Sequence, residues 1–356
     1  MTSIMFFGLY CLGVLWSENS ANAGFDLEVK MSLAIIPIVI MFSNYTVEQI
    51  RILLLTFIAG LLICILWLLT NGANNYYCTC DTRQLLYIHL SKEIHPSYLA
   101  FYMNVGIGVL LIDYFNGALG LFKRRWVYVA LILIFTGFSI LLLSKIGVLT
   151  SAILFLSLLI YWLIKRKWIL FLLFTFCSIL APYVIYKGSD LVQSRVKEFV
   201  EGVDTDTEKT WLGSTSLRTV IWNESTSLFL ENFWIGVGTG DVQDELVERY
   251  EDASINQAVR QNLNAHNQFL QTSLALGVLG LLTIAIMLLQ ALIRMKRMKY
   301  FNLIFSLISG VFFFTESVLE TQAGVVFFAV FFAIFNSINF SNSNNETSNS
   351  DAVLPA

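Results

Sequence analysis

Four cationic side chains are best suited by type to do chemistry in this sequence: Lys145, Arg195, Arg218 and His266. An arginine fork grips a phosphate through two parallel hydrogen bonds, a lysine adds a point charge, and a histidine changes charge near neutral pH. Each also has an ordinary reading. Arg195 and Arg218 fit solvated arginines, His266 fits a capping residue ahead of a long apolar helix, and Lys145 fits a lysine snorkelling from a helical hairpin. Convergence would decide the matter: at one membrane surface the four would form a cationic pocket suited to a phosphate carried on a lipid.

Other patterns carry less. Gly236-Val237-Gly238-Thr239-Gly240 lacks the preceding strand and the fingerprint of a phosphate loop, and reads as a turn. Asp204-Thr205-Asp206 has the spacing of a cation-binding acidic pair but falls in a polar stretch. Cys78 and Cys80 stand near His89 and His95, yet an exposed thiol pair in an oxidising compartment is oxidised more readily than it holds zinc. Cys11, Cys64 and Cys177 fall in apolar stretches as packing residues. No metal and no cofactor are expected.

The elements that must position these residues are set by composition. Of 356 residues 56% are hydrophobic and 13% charged, about half the charged fraction of a soluble domain, and the mean hydropathy is +0.69. A soluble enzyme is excluded. Apolar runs fall at 2–16, 31–47, 52–70, 97–116, 126–144, 146–164, 168–186, 268–293, 300–315 and 321–339, so an all-α polytopic membrane protein of about ten spans is expected. The stretch from Trp126 to Ile164 would be about 58 Å as one helix, twice the hydrocarbon core, so it must fold back, with Ser144-Lys145-Ile146-Gly147 as the turn. Ala21-Asn22-Ala23 imitates a signal-peptide cleavage site, but residues 1–10 lack the Lys or Arg of an n-region, so no cleavage is expected. A net charge of −3 gives no basic field for nucleic acid; membrane lipids are the expected surroundings.

Orientation follows from the basic loops. Arg51, Lys123-Arg124-Arg125, Lys165-Arg166-Lys167 and Arg294, Lys296, Arg297, Lys299 share one side when the spans alternate, against Lys30, Arg83, Lys92 and Lys145 on the other. The first side is therefore cytoplasmic, and the long segment 187–267 lies outside. That segment reads as short amphipathic helices, with Leu191, Val192, Arg195, Val196 and Phe199, and then Val242, Leu246, Val247 and Tyr250, at helical spacing. Trp211, Trp222, Phe233 and Trp234 suit a membrane interface. The tail from residue 341 to residue 356 reads as disordered. The spans have apolar interiors, and His95, Lys145, Glu316 and Glu320 gather on the outer face; a transporter would be expected to carry carboxylates near the midplane.

Three segments in order carry a resemblance: Ser216-Leu217-Arg218-Thr219-Val220-Ile221-Trp222, then Asn232-Phe233-Trp234-Ile235-Gly236-Val237-Gly238-Thr239-Gly240, then Asn264-Ala265-His266-Asn267-Gln268-Phe269-Leu270 with Leu276-Gly277-Val278-Leu279-Gly280. Their R-x-x-x-W, G-x-G and H-N-x-x-L elements, followed by a G-x-x-G helix, resemble the large outer loop of the O-antigen ligase and polymerase superfamily. The resemblance is strong over 126–290, and softer at His95-Pro96-Ser97-Tyr98, Leu143-Ser144-Lys145 and Thr315-Glu316-Ser317-Val318-Leu319-Glu320. It divides the chain into N-terminal spans at 1–125, a core at 126–290 containing the outer loop 187–267, C-terminal spans at 291–340 and the tail.

The resemblance implies a metal-independent, inverting transfer of a glycan from undecaprenyl pyrophosphate to an acceptor hydroxyl, on lipid A-core or another glycan. The reaction would occur at the periplasmic face of a bacterial inner membrane. It implies that Arg218 and Lys145 hold the pyrophosphate and that His266 activates the acceptor. Many relatives have arginine where this chain has Lys145, which supplies charge without the bidentate fork. The chemistry is self-consistent, since an ionised pyrophosphate needs cations rather than an acid to leave, while a sugar hydroxyl needs a base. Arg195, Arg260, Glu316, Glu320 and His95 are second-rank candidates for the pocket. A polymerase joining lipid-linked repeat units needs the same residues and stays open as an alternative, with a transporter further behind.

Overall fold

The structure, a computed structural model, describes residues 2–188 other than Asn44 and Glu93, positions 190, 192–194 and 197, then 214–293 and 298–337. The regular elements among them are helices, labelled here in chain order: α1 (Thr2–Gly13), α2 (Ser20–Lys30), α3 (Ser32–Phe42), α4 (Val47–Thr79), α5 (Tyr87–Ser91), α6 (Pro96–Asn116), α7 (Arg125–Leu141), α8 (Lys145–Ile164), α9 (Trp168–Gly188), α10 (Ser214–Glu231), α11 (Val242–Asp252), α12 (Asn256–Gln261), α13 (Gln268–Ile293), α14 (Lys299–Phe313) and α15 (Gln322–Ser337). Every expected apolar run lies on one of these helices. Among the described residues four helices, α4, α6, α8 and α13, are long and apolar enough to cross a membrane, and α1, α7, α14 and α15 are apolar but shorter.

Helix α6 is the buried axis of the bundle. It runs parallel to α8 in a register fixed by small and polar residues: a Cβ on Gly147 would lie 2.5 Å from Ala100 Cβ, Asn104 Nδ2 donates to Gly147 O at 3.2 Å, and Ser151 Oγ donates to Asn104 Oδ1 at 2.9 Å. Small residues let helix backbones approach, and buried amides pair across them, as membrane packing requires. Helix α14 runs antiparallel to α6, with Phe101 on Phe312 at 4.9 Å and Gly108 beneath Ile304 and Ile308. Phenylalanine rings then fasten α14 to α15, Phe305 meeting Phe328, Phe331 and Phe335 at 5.5–6.0 Å. Outside this core Ile63, Leu66, Leu133, Leu156, Ile160, Ile169 and Leu172 are exposed, which is the apolar belt that lipid covers.

The bundle has two unlike ends. Helix α7 begins and α8 finishes at one end, so Lys123-Arg124-Arg125 and Lys165-Arg166-Lys167 share it. There the Asp113 carboxylate accepts the N–H groups of Leu119, Gly120 and Leu121 and the hydroxyl of Tyr128, which shapes the loop before the first basic cluster. The other end gathers the starts of α6, α8 and α13 and the link between α14 and α15. The expected turn at Ser144 is found here: Leu143 has a φ of 47°, and the Ser144 hydroxyl caps α8 by accepting from Gly147 N.

Helix α13 is broken where the sequence reads as one continuous run. Gly277, at φ 63° and ψ −154°, occupies a region open essentially to glycine. The break takes Leu274 O and Ala275 O out of the helical ladder, and they accept Val237 N at 2.8 Å and Gly238 N at 3.2 Å, while Val278 N donates to Phe233 O at 2.8 Å. The Gly236–Gly240 run is thus a structural turn, as expected, and its N–H groups are taken by backbone carbonyls and, at Gly240, by the Ser17 hydroxyl. The same turn clasps the N-terminal helices, with Thr239 Oγ1 donating to Tyr10 O and Asp241 accepting Glu18 N and Asn19 N. A Cβ on Gly277 would lie 2.5 Å from Trp234 C, whereas one on Gly8 would meet nothing within 4 Å. Gly277→Ala is therefore expected to destabilise by at least about 1–3 kcal/mol, read as a lower thermal midpoint of the detergent-purified protein, with Gly8→Ala, which should hold or raise the midpoint, as the control; a Gly277→Ala midpoint equal to wild type would contradict this account.

Candidate functional site

The site forms around one buried carboxylate. Glu316, in the link between α14 and α15, has 7% of its side chain exposed. Its Oε1 accepts Arg218 Nη2 at 2.8 Å and Ser97 Oγ at 3.0 Å, and its Oε2 faces His266 Nδ1 at 3.5 Å. Arg218 and His266 remain 23% and 27% exposed, so both open outward from a sealed anion. Burial by itself pushes the Glu316 carboxyl up. The facing His266 imidazole and the charge of Arg218, with His95 adding to them, outweigh burial and hold it below the ordinary carboxylate value. His95 belongs to the same electrostatic cluster: burial lowers its imidazole below the ordinary value, Glu316 opposes this, and His266 and Arg218 reinforce it. Its Nδ1 also accepts Ser97 N at the start of α6.

Local sequence explains how each side chain is presented. Arg218 and Trp222 are four apart on α10 and share a face; Trp222 Nε1 donates to Ala265 O at 3.1 Å, and its ring packs edge-on to Phe314. The turn before α13 is built by its own polar residues. Asn264 Oδ1 accepts His266 N at 2.9 Å, Gln271 Oε1 accepts Ala265 N, Ser317 Oγ accepts Asn267 N, and Asn267 Oδ1 caps α13 by accepting Phe269 N and Leu270 N. His266 sits among these with a φ of 45°, a conformation uncommon for a non-glycine residue that persists only where its surroundings over-determine it.

A second buried cluster lies beside the first. Lys30 is fully buried and pairs with Glu320 at 2.7 Å and Asp26 at 3.0 Å, 4.7 Å over the Tyr10 ring. Gln268 joins the two clusters, its Nε2 reaching Glu320 Oε1 and Thr272 Oγ1 and its Oε1 accepting Leu319 N. Lys30 reads in the sequence as a charge in a short connection; the structure corrects this, making it the anchor of the 317–320 turn. The overlooked signal is Asp26 four residues before Lys30 in a polar helical stretch.

The expected residues divide accordingly. Arg218, His266, Glu316 and His95 come together, and Glu320 sits in the adjoining cluster. Lys145, next to its cap Ser144, is carried to the same end by the α6–α8 register. Arg260 is exposed in the last turn of α12. Arg195, the Asp204–Asp206 pair, the Leu191–Phe199 periodicity, Trp211, the Arg294–Arg297 cluster and the 341–356 tail lie outside the described residues. Of the expected face of α11, Val242, Leu246 and Tyr250 are buried and Val247 is half-buried. Cys78 and Cys80 are exposed and unbonded, with Cys80 in the left-handed cap of α4.

Fold and site together define a helical membrane protein with a cationic cluster at one end of its bundle. Residues 129–285 match the family model described as O-Antigen ligase, which bears out the resemblance to the O-antigen ligase and polymerase superfamily over the segment holding Lys145, Arg218 and His266. No curated protein matches the chain.

Asp26 gives a pH test of the second cluster. Burial first, and then Glu320, raise its carboxyl from 3.8 to about 6 against the pull of Lys30. A raised folded-state value means that its contribution to stability is full below the unfolded value and is lost as pH rises through about 6. Asp26→Asn should therefore gain thermal midpoint relative to wild type at about pH 7.5 compared with about pH 4.5; a difference independent of pH would contradict the assignment.

Proposed function

We propose that the protein is an inverting, metal-independent glycosyltransferase of the O-antigen ligase type. It moves a glycan from undecaprenyl pyrophosphate to a hydroxyl of lipid A-core at the periplasmic face of a bacterial inner membrane. The observation that carries this reading is the meeting of Arg218 and His266 on Glu316, both partly exposed, at the end of the bundle where α8 also starts with Lys145. The basic loops at the opposite end support the orientation, because positive loops stay cytoplasmic.

The chemistry needs two functions. As the bond from the anomeric carbon to pyrophosphate breaks, negative charge grows on the leaving oxygen, and the Arg218 fork and the Lys145 ammonium stabilise it. The attacking acceptor hydroxyl must lose a proton, and His266 takes it, a role that contributes about 10² to 10⁴ in rate. Attack from the face opposite the pyrophosphate inverts the anomeric centre. Lysine at position 145 acts by charge alone, so Arg218 bears the geometric recognition.

The test is a gel profile of surface glycolipids from a deletion strain complemented with wild type, His266→Ala or Arg218→Ala, with membrane levels checked by immunoblot. Loss of all glycan from lipid A-core, with polymer accumulating on undecaprenyl pyrophosphate, is the expected outcome for both variants. Single repeat units still reaching lipid A-core without long chains would reassign the protein as a polymerase. Normal glycan made by both variants would overturn the mechanism.

A further inference from the structure

We infer that Glu316 is the positioning residue of this site: it fixes His266 with its proton on Nδ1, leaving Nε2 as the base, and it couples phosphate arrival at Arg218 to that base. The inference rests on the functional reading above and assigns a role to a residue outside the matched segment 129–285.

The two carboxylate oxygens are unequally engaged. Oε1 is held by Arg218 at 2.8 Å and Ser97 at 3.0 Å, whereas Oε2 faces His266 Nδ1 at 3.5 Å. An ionised carboxylate only accepts, and a neutral imidazole carries one N–H. The nitrogen that faces Glu316 must therefore be the protonated one, and the lone pair lies on Nε2. The left-handed backbone of His266 is pinned by Asn264, and the neighbours Ala265 and Asn267 are pinned by Trp222, Gln271 and Ser317. Such a strained and over-determined backbone points to a side chain that has to be held in place.

The coupling follows from sharing. A pyrophosphate that takes the Arg218 fork competes with Glu316 for the same guanidinium. A carboxylate sealed from water that loses its charged donor keeps only the Ser97 hydroxyl, too little to offset its burial, so Oε2 closes on Nδ1–H as Arg218 is drawn away, in keeping with catalytic contacts that tighten only once substrate binds. In the reaction the acceptor O–H bond breaks and its proton goes to Nε2. The freed oxygen bonds to the anomeric carbon, and the electron pair of the broken glycosidic bond leaves with pyrophosphate. The imidazolium that results faces Glu316, which stabilises it.

Glu316→Gln separates this role from packing. With its carbonyl oxygen held by Arg218 and Ser97, the amide nitrogen turns its N–H toward His266 and reverses the tautomer. The full-length protein, ¹⁵N-labelled at the imidazoles of its three histidines, is reconstituted in nanodiscs, with His266→Ala identifying the His266 signals and inorganic pyrophosphate as the probe. Wild type should show protonated Nδ1 and bare Nε2, with the Nδ1 proton moving downfield when pyrophosphate is added. Glu316→Gln should show the opposite tautomer and no response. In a transfer assay with lipid-linked glycan, Glu316→Gln should lose about 10²-fold or more in kcat with little change in donor KM. An unchanged tautomer in Glu316→Gln, or a defect confined to KM, would overturn the positioning role while leaving the glycosyl-transfer reading intact. A pyrophosphate-independent wild-type signal would overturn the coupling. Full transfer by His266→Ala would overturn the functional reading itself, whatever the tautomer spectra show.

Discussion

The buried carboxylate of Glu316 is the constraint on which the site depends. Taking a carboxylate out of water costs several kcal/mol unless donors replace the lost hydration, and no residue near Glu316 in sequence supplies them. They come instead from Ser97 at the start of α6, Arg218 on α10 and His266 in the turn before α13. These segments therefore dock together or not at all, and the docking that satisfies one anion brings an arginine and a histidine to one opening. Stability and chemistry share the same contacts.

A second constraint is the broken helix. Interrupting α13 at Gly277 takes backbone groups out of the helical ladder within an apolar bundle, where unpaired groups are costly. The break persists because the Phe233–Gly238 turn pairs with Leu274 O, Ala275 O and Val278 N, and glycines at 236, 238 and 277 admit the positive φ and close approach that this requires. The turn continues into Thr239 and Asp241, which hold α1 and the start of α2. The first half of α13, which carries Gln268, is thereby set against the N-terminal helices. Gln268 then links Glu320, paired with Lys30, to Leu319, so the position of Glu316 is fixed from both sides of its link.

The charge pattern and the site geometry agree in direction. Basic loops occupy one end of the bundle, and the polar clusters occupy the other. Lys30 is shared between Glu320 and Asp26, and Glu316 is compensated by donors from three segments. The cations left partly open at the polar end, Arg218 and His266, both lie within residues 129–285, which match the O-Antigen ligase family.

Local physics made much of this protein legible without coordinates. Long apolar runs predict helices, and the Ser144 turn follows from the excess length of residues 126–164. The i, i+4 spacing of Arg218 and Trp222 sets a shared face, and the asparagines around His266 read as a capped turn. These features depend on neighbours within a few residues, which the sequence displays directly. Only the tertiary structure decided that Glu316, one acid among several at helix ends, is the hub, that Lys30 is buried rather than exposed, and that Gly277 breaks its helix. Those outcomes depend on which helices lie side by side across 219 to 290 residues of chain, and a buried charge finds its partner through that adjacency rather than through spacing along the sequence.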